Sequence, residues 1–295
     1  VIFTLLRILS GHPIYGCEIS ASGNCGTLSG TNRIMRNIRL IARLDVKAPN
    51  LVKGIQLEGL RKLGDPNEFA LKYYKQGIDE IYYEDIVASL YERSSLLEII
   101  EKTTENIFVP ITVGGGLRSI DDVSAVLRVG ADKVAVNTAA IKRPSIISEI
   151  AQRFGSQCIV LSIQAKQQGD GWEAYYDNGR EHSGRDAVEW ARQGEDLGAG
   201  EILLTSVDRE GTAKGFDLEL IQAITDEVNV PVIASGGMGN LSDLDAAVRQ
   251  SRADAVAMAH VLHYGIYSVA EIRSHCIGQD IPVRTVPSNS SQRAA

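Results

Sequence analysis

Short apolar runs of four to eight residues alternate along the chain with stretches in which apolar residues recur every three to four positions. The short runs are typical of buried strands, and the longer stretches are typical of amphipathic helices. Eight strands are predicted, over residues 38–45, 80–85, 110–113, 133–137, 158–164, 201–205, 231–235 and 255–259. Helical patterns separate or follow them over residues 66–76, 96–106, 120–129, 145–154, 186–197, 218–228, 243–250 and 270–276.

One part of this pattern occurs twice. VPITVGGGLRSIDDVSAVLRVGADKVAVNT at 109–138 corresponds to VPVIASGGMGNLSDLDAAVRQSRADAVAMAH at 230–260. A repeated strand–helix–strand unit implies parallel strands joined by right-handed crossovers. Two similar halves favour a closed (β/α)8 TIM barrel built from two half-barrel repeats over a doubly wound open sheet. The GDG and DNG turns at 167–180 also predict a β-hairpin inserted after the fifth strand.

Each copy of the repeat carries a glycine turn between a strand and a helix, at Gly115–Gly116 and at Gly236–Gly237. Glycine permits close approach of a ligand to the backbone, and the N–H groups at a helix start favour an anion. A tight turn without a ligand is the alternative for one such turn. The duplication favours two phosphate sites that face each other across one scaffold.

Composition narrows the class of protein. The 295 residues are 44% hydrophobic and 23% charged, as expected for one large globular domain. The net charge of −7 argues against a nucleic-acid or anionic-membrane surface, and no apolar run is long enough to span a membrane. Four scattered cysteines form no CxxC pair, which fits a reducing, cytoplasmic setting.

The ends of the chain differ from its middle. Residues 1–34 are rich in glycine, serine and threonine and precede Met35, which stands directly before the first strand pattern. We expect residues 1–34 to be a non-native or disordered extension, residues 35–284 to form the barrel, and residues 285–295 to be a disordered tail.

Barrel enzymes carry their chemistry at the carboxyl ends of the strands. The residues predicted there are Asp45, Asp85, Gly115, Asn137, Gln164, Thr205, Ser235 and Ala259. The histidines do not pair with carboxylates at metal-ligand spacing, so we expect neither a metal nor a cofactor. Carboxylates beside glycine turns indicate general acid–base chemistry on a phosphorylated substrate.

Several of these positions allow a second interpretation. Asp45 is either catalytic or in a structural ion pair with Lys53, and Lys53 itself either contacts a phosphate or is exposed to solvent. Asp85 acts on the substrate or orients a neighbour. Asn137–Thr138 corresponds to Ala259–His260 in the other half, where small polar groups suit phosphate oxygens and His260 could equally begin a helix. The loop after strand six, which includes Glu210, is too polar to be only a connector.

From about residue 36 to residue 284 the chain resembles the cyclase subunit of imidazole glycerol phosphate synthase, a histidine-biosynthesis barrel. The motifs that carry the resemblance, in order, are RLIARLDVK, VKG, GDP, GIDE, TVGGGLRS, GADKVAVNTAA, FGSQ, GAGEILLTSVDREGT and VIASGG. The resemblance implies a heterodimer in which a partner glutaminase supplies ammonia. The barrel adds this ammonia to a bis-phosphorylated ribulosyl aminoimidazole carboxamide nucleotide (PRFAR), and the products are imidazole glycerol phosphate and aminoimidazole carboxamide ribotide (AICAR).

The resemblance also assigns residues. Two aspartates at the ends of strands one and five are the family's acid–base pair; the first is Asp45, but the second position holds Gln164, which cannot exchange a proton near neutral pH. His260 replaces a small hydroxyl residue and Glu210 replaces an aspartate. Four charged residues of the family's ammonia gate, beside the glutaminase, correspond to Arg39, Glu80, Lys133 and Glu201. A salt-bridge cluster that only stabilises the barrel floor is the alternative for these four.

Three other functions remain compatible with the sequence. A diverged paralogue could deliver ammonia to another acceptor, such as a nucleotide-linked sugar in surface-polysaccharide biosynthesis, and Gln164 is the main support for it. A non-catalytic barrel could bind and activate a glutaminase. A phosphoribosyl isomerase of the same half-barrel ancestry would need two carboxylates, and the retained gate residues speak against it.

Overall fold

The computed structural model describes residues 37–87 and 94–286. The expectations for residues 1–34 and for the tail from residue 287 onward lie outside these ranges. Among the described residues, no helix combines the length and the apolar character that crossing a bilayer requires.

Strands and helices alternate as the hydrophobic pattern predicts. The strands are β1 (Arg39–Lys47), β2 (Asn50–Ile55), β3 (Glu58–Gly64), β4 (Glu80–Asp85), β5 (Ile111–Gly114), β6 (Lys133–Val136), β7 (Ile159–Gln168), β8 (Gly171–Tyr176), β9 (Glu181–Asp186), β10 (Glu201–Ser206), β11 (Val232–Ser235) and β12 (Ala255–Met258). The helices are α1 (Pro66–Lys75), α2 (Ser94–Thr104), α3 (Ile120–Arg128), α4 (Thr138–Lys142), α5 (Ser145–Phe154), α6 (Ala187–Asp196), α7 (Leu218–Glu227), α8 (Leu241–Arg249), α9 (His260–His263) and α10 (Val269–Gly278).

Eight of the strands close into a parallel barrel in the order β1, β4, β5, β6, β7, β10, β11 and β12. Strand β12 pairs with β1, and β10 pairs with both β7 and β11, so the ring has no free edge. Closure confirms the predicted (β/α)8 barrel and excludes the open sheet. Because all eight strands run the same way, their carboxyl ends meet at one end of the molecule.

Side chains alternate between two apolar layers. The outward residues of the strands, such as Leu40, Leu44 and Ile81, are fully buried against the helices. A smaller cluster fills the middle of the barrel and consists of Ile41, Tyr82, Ala135, Val160, Leu203, Ile233, Ala255 and Ala257. Polar and charged residues point inward above and below this cluster, so the barrel interior has two polar ends separated by an apolar middle.

Two hairpins extend from the barrel at its carboxyl end. The predicted hairpin after the fifth barrel strand is confirmed, since β7 continues to Gln168 and pairs antiparallel with β8, which pairs with β9. The β2–β3 hairpin is an addition that the sequence did not predict. Its two-residue turn, Gln56–Leu57, has positive φ angles of 52° and 64°. Such turns are normally recognised by asparagine or glycine, which this one lacks.

The short helices α4 and α9 were also not predicted. Each follows the second strand of one repeat and begins at Thr138 or His260, which confirms that His260 begins a helix. Four or five residues are too few for a hydrophobic period to be recognised. The two repeats therefore correspond in their helical connections as well as in their strands.

We predict that Ser119→Ala lowers the free energy of unfolding by about 1 kcal/mol, measured by urea denaturation. The Ser119 hydroxyl accepts a hydrogen bond from the N–H of Asp122 at 3.2 Å, and the Asp122 carboxylate accepts one from the N–H of Ser119 at 2.8 Å. This capping box begins α3, directly after the first glycine turn. Ser124→Ala within the same helix is the control and should be neutral or slightly stabilising, because alanine favours helix. Equal losses in the two variants would contradict a capping role.

Candidate active site

Both glycine turns lie at the carboxyl end of the barrel. Gly115 and Gly116 follow β5, Gly236 and Gly237 follow β11, and all four have positive φ angles. A Cβ atom on Gly115 would lie 2.2 Å from the carbonyl oxygen of Asp85, and one on Gly237 would lie 2.1 Å from that of Gly215. Backbone packing alone therefore requires glycine at these two positions, whatever ligand the turns bind.

The first turn opens on a cavity of about 700 Å³. Gly115, Gly116, Asn137 and Thr138 share its wall with Asp85 and Gln164, so the structure brings these predicted residues together. The Asn137 amide donates to the carbonyl oxygens of Ser162 and Tyr175, at 3.0 Å and 3.1 Å. Thr138 accepts a hydrogen bond from the N–H of Asp177 at 3.1 Å. Asn137 and Thr138 thus hold the β8–β9 hairpin over the cavity.

Three basic residues that sequence reasoning missed also border this cavity: Arg118, Lys142 and Arg143. The Lys142 ammonium lies 5.1 Å from the centre of the Tyr176 ring. Lys142 and Arg143 come at the end of α4, a few residues after Asn137. This short distance from a predicted site residue could have identified them in the sequence. Positive charge beside a glycine turn and a helix start makes this end of the cavity suitable for an anion such as phosphate. Within the described ranges, no group of three histidine, cysteine, aspartate or glutamate residues is placed to hold a metal ion.

The second turn lines a much smaller pocket. Gly236, Gly237, Ala259 and His260 lie together there, as the repeat predicts, but the pocket has a volume of only about 20 Å³. A pocket of this size has room for about one water molecule. Arg43 and Glu210 form part of the wall of this pocket. Their side chains occupy space that stays open at the equivalent place in the first half. Burial and the nearby Lys53 ammonium lower the pKa of His260, so its imidazole is neutral at pH 7.

A buried ion cluster fills the centre of the barrel at this end. Arg43 Nε lies 2.8 Å from Asp45 Oδ1, and Lys53 Nζ lies 3.3 Å from Asp45 Oδ2. Lys53 also pairs with Glu210. Each of the four side chains is at least 96% buried, so two cations and two carboxylates compensate one another out of contact with water. Sequence reasoning foresaw the pair of Asp45 and Lys53 as one alternative but missed Arg43.

Arg43 connects this cluster to two predicted site residues. Its Nη1 donates to Thr205 Oγ1 at 2.9 Å and to Ser235 Oγ at 3.2 Å. The hydroxyl groups of Thr205 and Ser235 are therefore used inside the protein. Period-two alternation along β1 places Arg43 on the same inner face as Asp45, and that was the signal for it.

The cluster fixes the charge of Asp45. Burial disfavours the carboxylate, but Arg43 and Lys53 outweigh this effect and hold the pKa of Asp45 well below its ordinary value. The pKa of Lys53 is raised, because Glu210 and Asp45 outweigh the effect of its burial. Asp45 is therefore ionised throughout the neutral range, so it can attract a cation but cannot donate a proton.

Gln164 points into the first cavity from β7. It is 97% buried, and its Oε1 atom has no hydrogen-bond partner among the described residues. Both polar side-chain atoms of Asn178, in the hairpin over the same cavity, are likewise buried without a partner. Buried polar atoms are rarely left unpaired in folded proteins. These atoms are available to hydrogen-bond a ligand in the cavity.

Glu84 is a further carboxyl group of the cavity wall that sequence reasoning missed. The sequence singled out Asp85 as the end of the strand, but alternation along β4 turns Glu84 inward with Glu80 and Tyr82. The Asp85 carboxylate instead accepts a hydrogen bond from the N–H of Val87 at 3.0 Å. Burial raises the pKa of Glu84 to about 8.

The four predicted gate residues meet at the opposite end of the barrel. Arg39 lies 2.8 Å from Glu80 and 3.1 Å from Glu201, and Lys133 lies 3.1 Å from Glu80 and 3.0 Å from Glu201. The two cations and two anions thus alternate around a ring. The ring lines a depression of about 600 Å³ on the outer face of this end. Thr112 donates a hydrogen bond to Glu80 at 2.6 Å and so holds the Glu80 carboxylate in its place in the ring.

The amino-acid sequence of the chain is similar to those of known proteins. The model of a family described as histidine biosynthesis protein matches residues 39–268. A protein of Legionella pneumophila named imidazole glycerol phosphate synthase subunit HisF is 64% identical over 212 residues, which are 72% of this chain and 100% of that protein. Two proteins of the same name, from strains of Dehalococcoides mccartyi, are each 48% identical over 250 residues, which are 85% of this chain and 99% of theirs.

We predict that Lys53→Met lowers the free energy of unfolding by about 3–5 kcal/mol at pH 7, because it leaves the buried Glu210 carboxylate without its cation. Urea denaturation measures this loss. Lys102→Met, at an exposed position on α2, is the control and should change stability by less than about 0.5 kcal/mol. A loss below about 1 kcal/mol for Lys53→Met would mean that water screens the cluster as it screens surface pairs.

Proposed function

The chain belongs to the histidine biosynthesis protein family, and we propose that it is the cyclase subunit of an imidazole glycerol phosphate synthase. In this role it uses ammonia from a glutaminase subunit to convert PRFAR into imidazole glycerol phosphate and AICAR, in the cytoplasm. The observation that carries the proposal is the ring of Arg39, Glu80, Lys133 and Glu201 around the amino-terminal end of the barrel. The names of its relatives support the same function.

The ring supports a place for the glutaminase partner. Four charged side chains are a poor choice for the floor of a barrel unless they compensate one another or face a partner. Here the four side chains compensate one another, and they also line a depression that faces outward. We propose that the glutaminase docks over this depression as a heterodimer. Ammonia released there enters through the ring, and in its neutral form it crosses the apolar middle layer towards Asp45.

The first cavity supports binding of one end of a bis-phosphorylated substrate. Gly115 and Gly116 offer backbone N–H groups, and Lys142, Arg143 and Arg118 supply positive charge. The second phosphate belongs at Gly236 and Gly237 by the symmetry of the repeat. Because that pocket is about 20 Å³, binding there requires the side chains of its wall to move apart. Asp45, which is always ionised, attracts the protonated nitrogen as ammonia adds to the substrate.

A second function is favoured by one specific observation. Asp45 is held in an ion cluster with Arg43 and Lys53, and the partner position in the family's acid–base pair is Gln164. The resemblance to the cyclase family implies two aspartates at these positions, and this chain keeps only the first. The second candidate is a paralogue that receives ammonia through the same ring and delivers it to another acceptor, such as a nucleotide-linked sugar.

We predict that the purified chain, supplied with an ammonium salt, converts PRFAR into imidazole glycerol phosphate, and that its gene restores growth of a histidine auxotroph that lacks the cyclase. Product formation is followed by chromatography. No conversion and no complementation, from a chain that folds and still forms a complex with a glutaminase, would favour the second candidate.

We predict that Lys133→Met alters glutamine-driven turnover of the complex by roughly two- to thirty-fold, while ammonium-driven turnover stays within about twofold. The substitution opens the ring without touching the distant cavity. Lys102→Met is the matched control. Equal changes in both assays would assign the ring a purely structural role.

A further inference from the structure

We infer that Glu84 is the second acid–base group of this active site and takes over the role that Gln164 cannot perform. In its protonated form it donates to the substrate oxygen at which ammonia adds, and it then recovers the proton. The inference deepens the proposed cyclase function and rests on it.

The position of Glu84 carries the inference. Its strand neighbours place it beside Asp45 of β1 on one side and beside Gly114 of β5 on the other. Its side chain points inward, is buried, and lines the same cavity as Gln164, Ser162 and the first glycine turn. Glu84 is therefore a carboxyl group at the level of Asp45 and in the wall of the substrate cavity.

The neighbouring strand leaves room for this carboxyl group. A Cβ atom on Gly114 would lie 2.6 Å from Glu84 Oε2 and 2.5 Å from the Tyr82 hydroxyl. Any other residue at position 114 would displace the Glu84 side chain. The first glycine of the GGG run thus accommodates Glu84, while the second and third form the turn.

Glu84 is also free to act. Within residues 37–87 and 94–286 it makes no hydrogen bond or ion pair, whereas the nearby Arg43 is taken up by Asp45, Thr205 and Ser235. A buried carboxylate without a partner is costly, so the neutral acid is favoured. Asp45 is the opposite case, because two cations keep it ionised. Two carboxyl groups on adjacent strands therefore hold different protonation states, so Glu84 can donate a proton while the Asp45 carboxylate stabilises positive charge.

Gln164 contributes to binding in place of acid–base chemistry. Its Oε1 atom is buried, unpartnered among the described residues, and part of the same cavity wall. It can accept a hydrogen bond from an N–H or O–H group of the substrate. The amide then orients the substrate while Glu84 moves the proton.

The proton balance closes with one carboxyl group. Ammonia forms a C–N bond to the ketone carbon of the ribulosyl group, the C=O π electrons move to oxygen, and that oxygen takes the proton of Glu84. The resulting ammonium nitrogen returns a proton to the Glu84 carboxylate. Glu84 then protonates the new hydroxyl, which leaves as water, and the nitrogen lone pair forms an imine. Loss of one further N–H proton restores Glu84 for the next turnover.

The charges around Glu84 set the expected pH dependence. Arg43 and Asp45 face it from β1, and Asp85 follows it on its own strand. Across the cavity lie Arg118, Lys142, Arg143, Asp177 and Glu181. Burial favours the protonated form most, Asp45 and Asp85 add to this, and Arg43 opposes it. The folded protein thus keeps the proton to near pH 8, whereas the unfolded chain loses it near pH 4.5.

The test compares ammonium-driven turnover of PRFAR by the full chain and by variants at position 84. Glu84→Gln should lower kcat by about 10²–10⁴-fold with little change in KM, because the amide keeps the shape and loses the proton. Glu84→Asp should keep measurable activity. Gln164→Asp placed in the Glu84→Gln chain should restore much of kcat, because it returns a carboxyl group to the cavity. Glu98→Gln, exposed on α2, is the control.

The pH dependence of kcat separates a catalytic role from a structural one, and the pH dependence of stability tests whether Glu84 is protonated in the folded chain. The kcat of the unmodified chain should fall as pH rises through about 8, and Glu84→Gln should lack this alkaline limb. Without any substrate, the urea midpoint of the unmodified chain should decline relative to Glu84→Gln as pH rises from 5 to 8, since only the unfolded state then releases the proton.

The possible outcomes are distinguishable. If the unmodified chain does not turn over PRFAR, the proposed function fails and the role of Glu84 in it fails as well. If the unmodified chain is active and Glu84→Gln keeps its kcat and its alkaline limb, only the inference is overturned. A rate loss in Glu84→Gln that Gln164→Asp does not restore, with the pH profile unchanged, would likewise make Glu84 structural.

Discussion

Charges that point into a closed barrel must be compensated inside it, and this constraint shapes both ends of the protein. At the amino-terminal end, Arg39 and Lys133 alternate with two glutamates around a ring. At the carboxyl end, Arg43 and Lys53 compensate Asp45 and Glu210. Burying an ion pair is favourable only when its geometry and further hydrogen bonds offset the loss of water. The apolar middle layer keeps the two polar ends apart.

The two half-barrels share a backbone and differ in the side chains that fill it. Each has a glycine turn, a capping box at the start of the following helix, and a short helix after its second strand. In the first half this frame encloses a large cavity with basic residues on its border. In the second half Arg43, Glu210 and His260 occupy the corresponding space. Backbone symmetry thus predicts where two anion sites can lie, but side-chain volume decides how much room each has.

Environment gives two carboxyl groups on adjacent strands opposite tendencies. Asp45 has two cations within ion-pair distance and remains ionised. Glu84 is buried at the same level of the barrel without such a partner, and its pKa is raised to about 8. Arg43 and Lys53 both pair with Asp45 and make it a permanent anion, whereas Glu84 lacks such cations among the described residues and can act as a proton donor.

The sequence alone determined the barrel and most of its site. Period-two and helical patterns located the eight barrel strands and their helices, and the repeat predicted that the strands close on themselves. The strand ends identified Asp45, Gln164 and both glycine turns. The resemblance to the cyclase family identified the four charged residues of the ring.

The tertiary structure decided which side chains meet. It brought Lys53 to Asp45 through the β2–β3 hairpin, whose turn lacks the residues that signal one. It showed that Arg43 crosses the barrel to Thr205 and Ser235. These partners lie 162 and 192 positions further along the chain. It also showed that the Glu84 carboxyl group joins Asp85 in the wall of the cavity. These facts depend on the register of paired strands and on the space between distant side chains, and local sequence patterns encode neither.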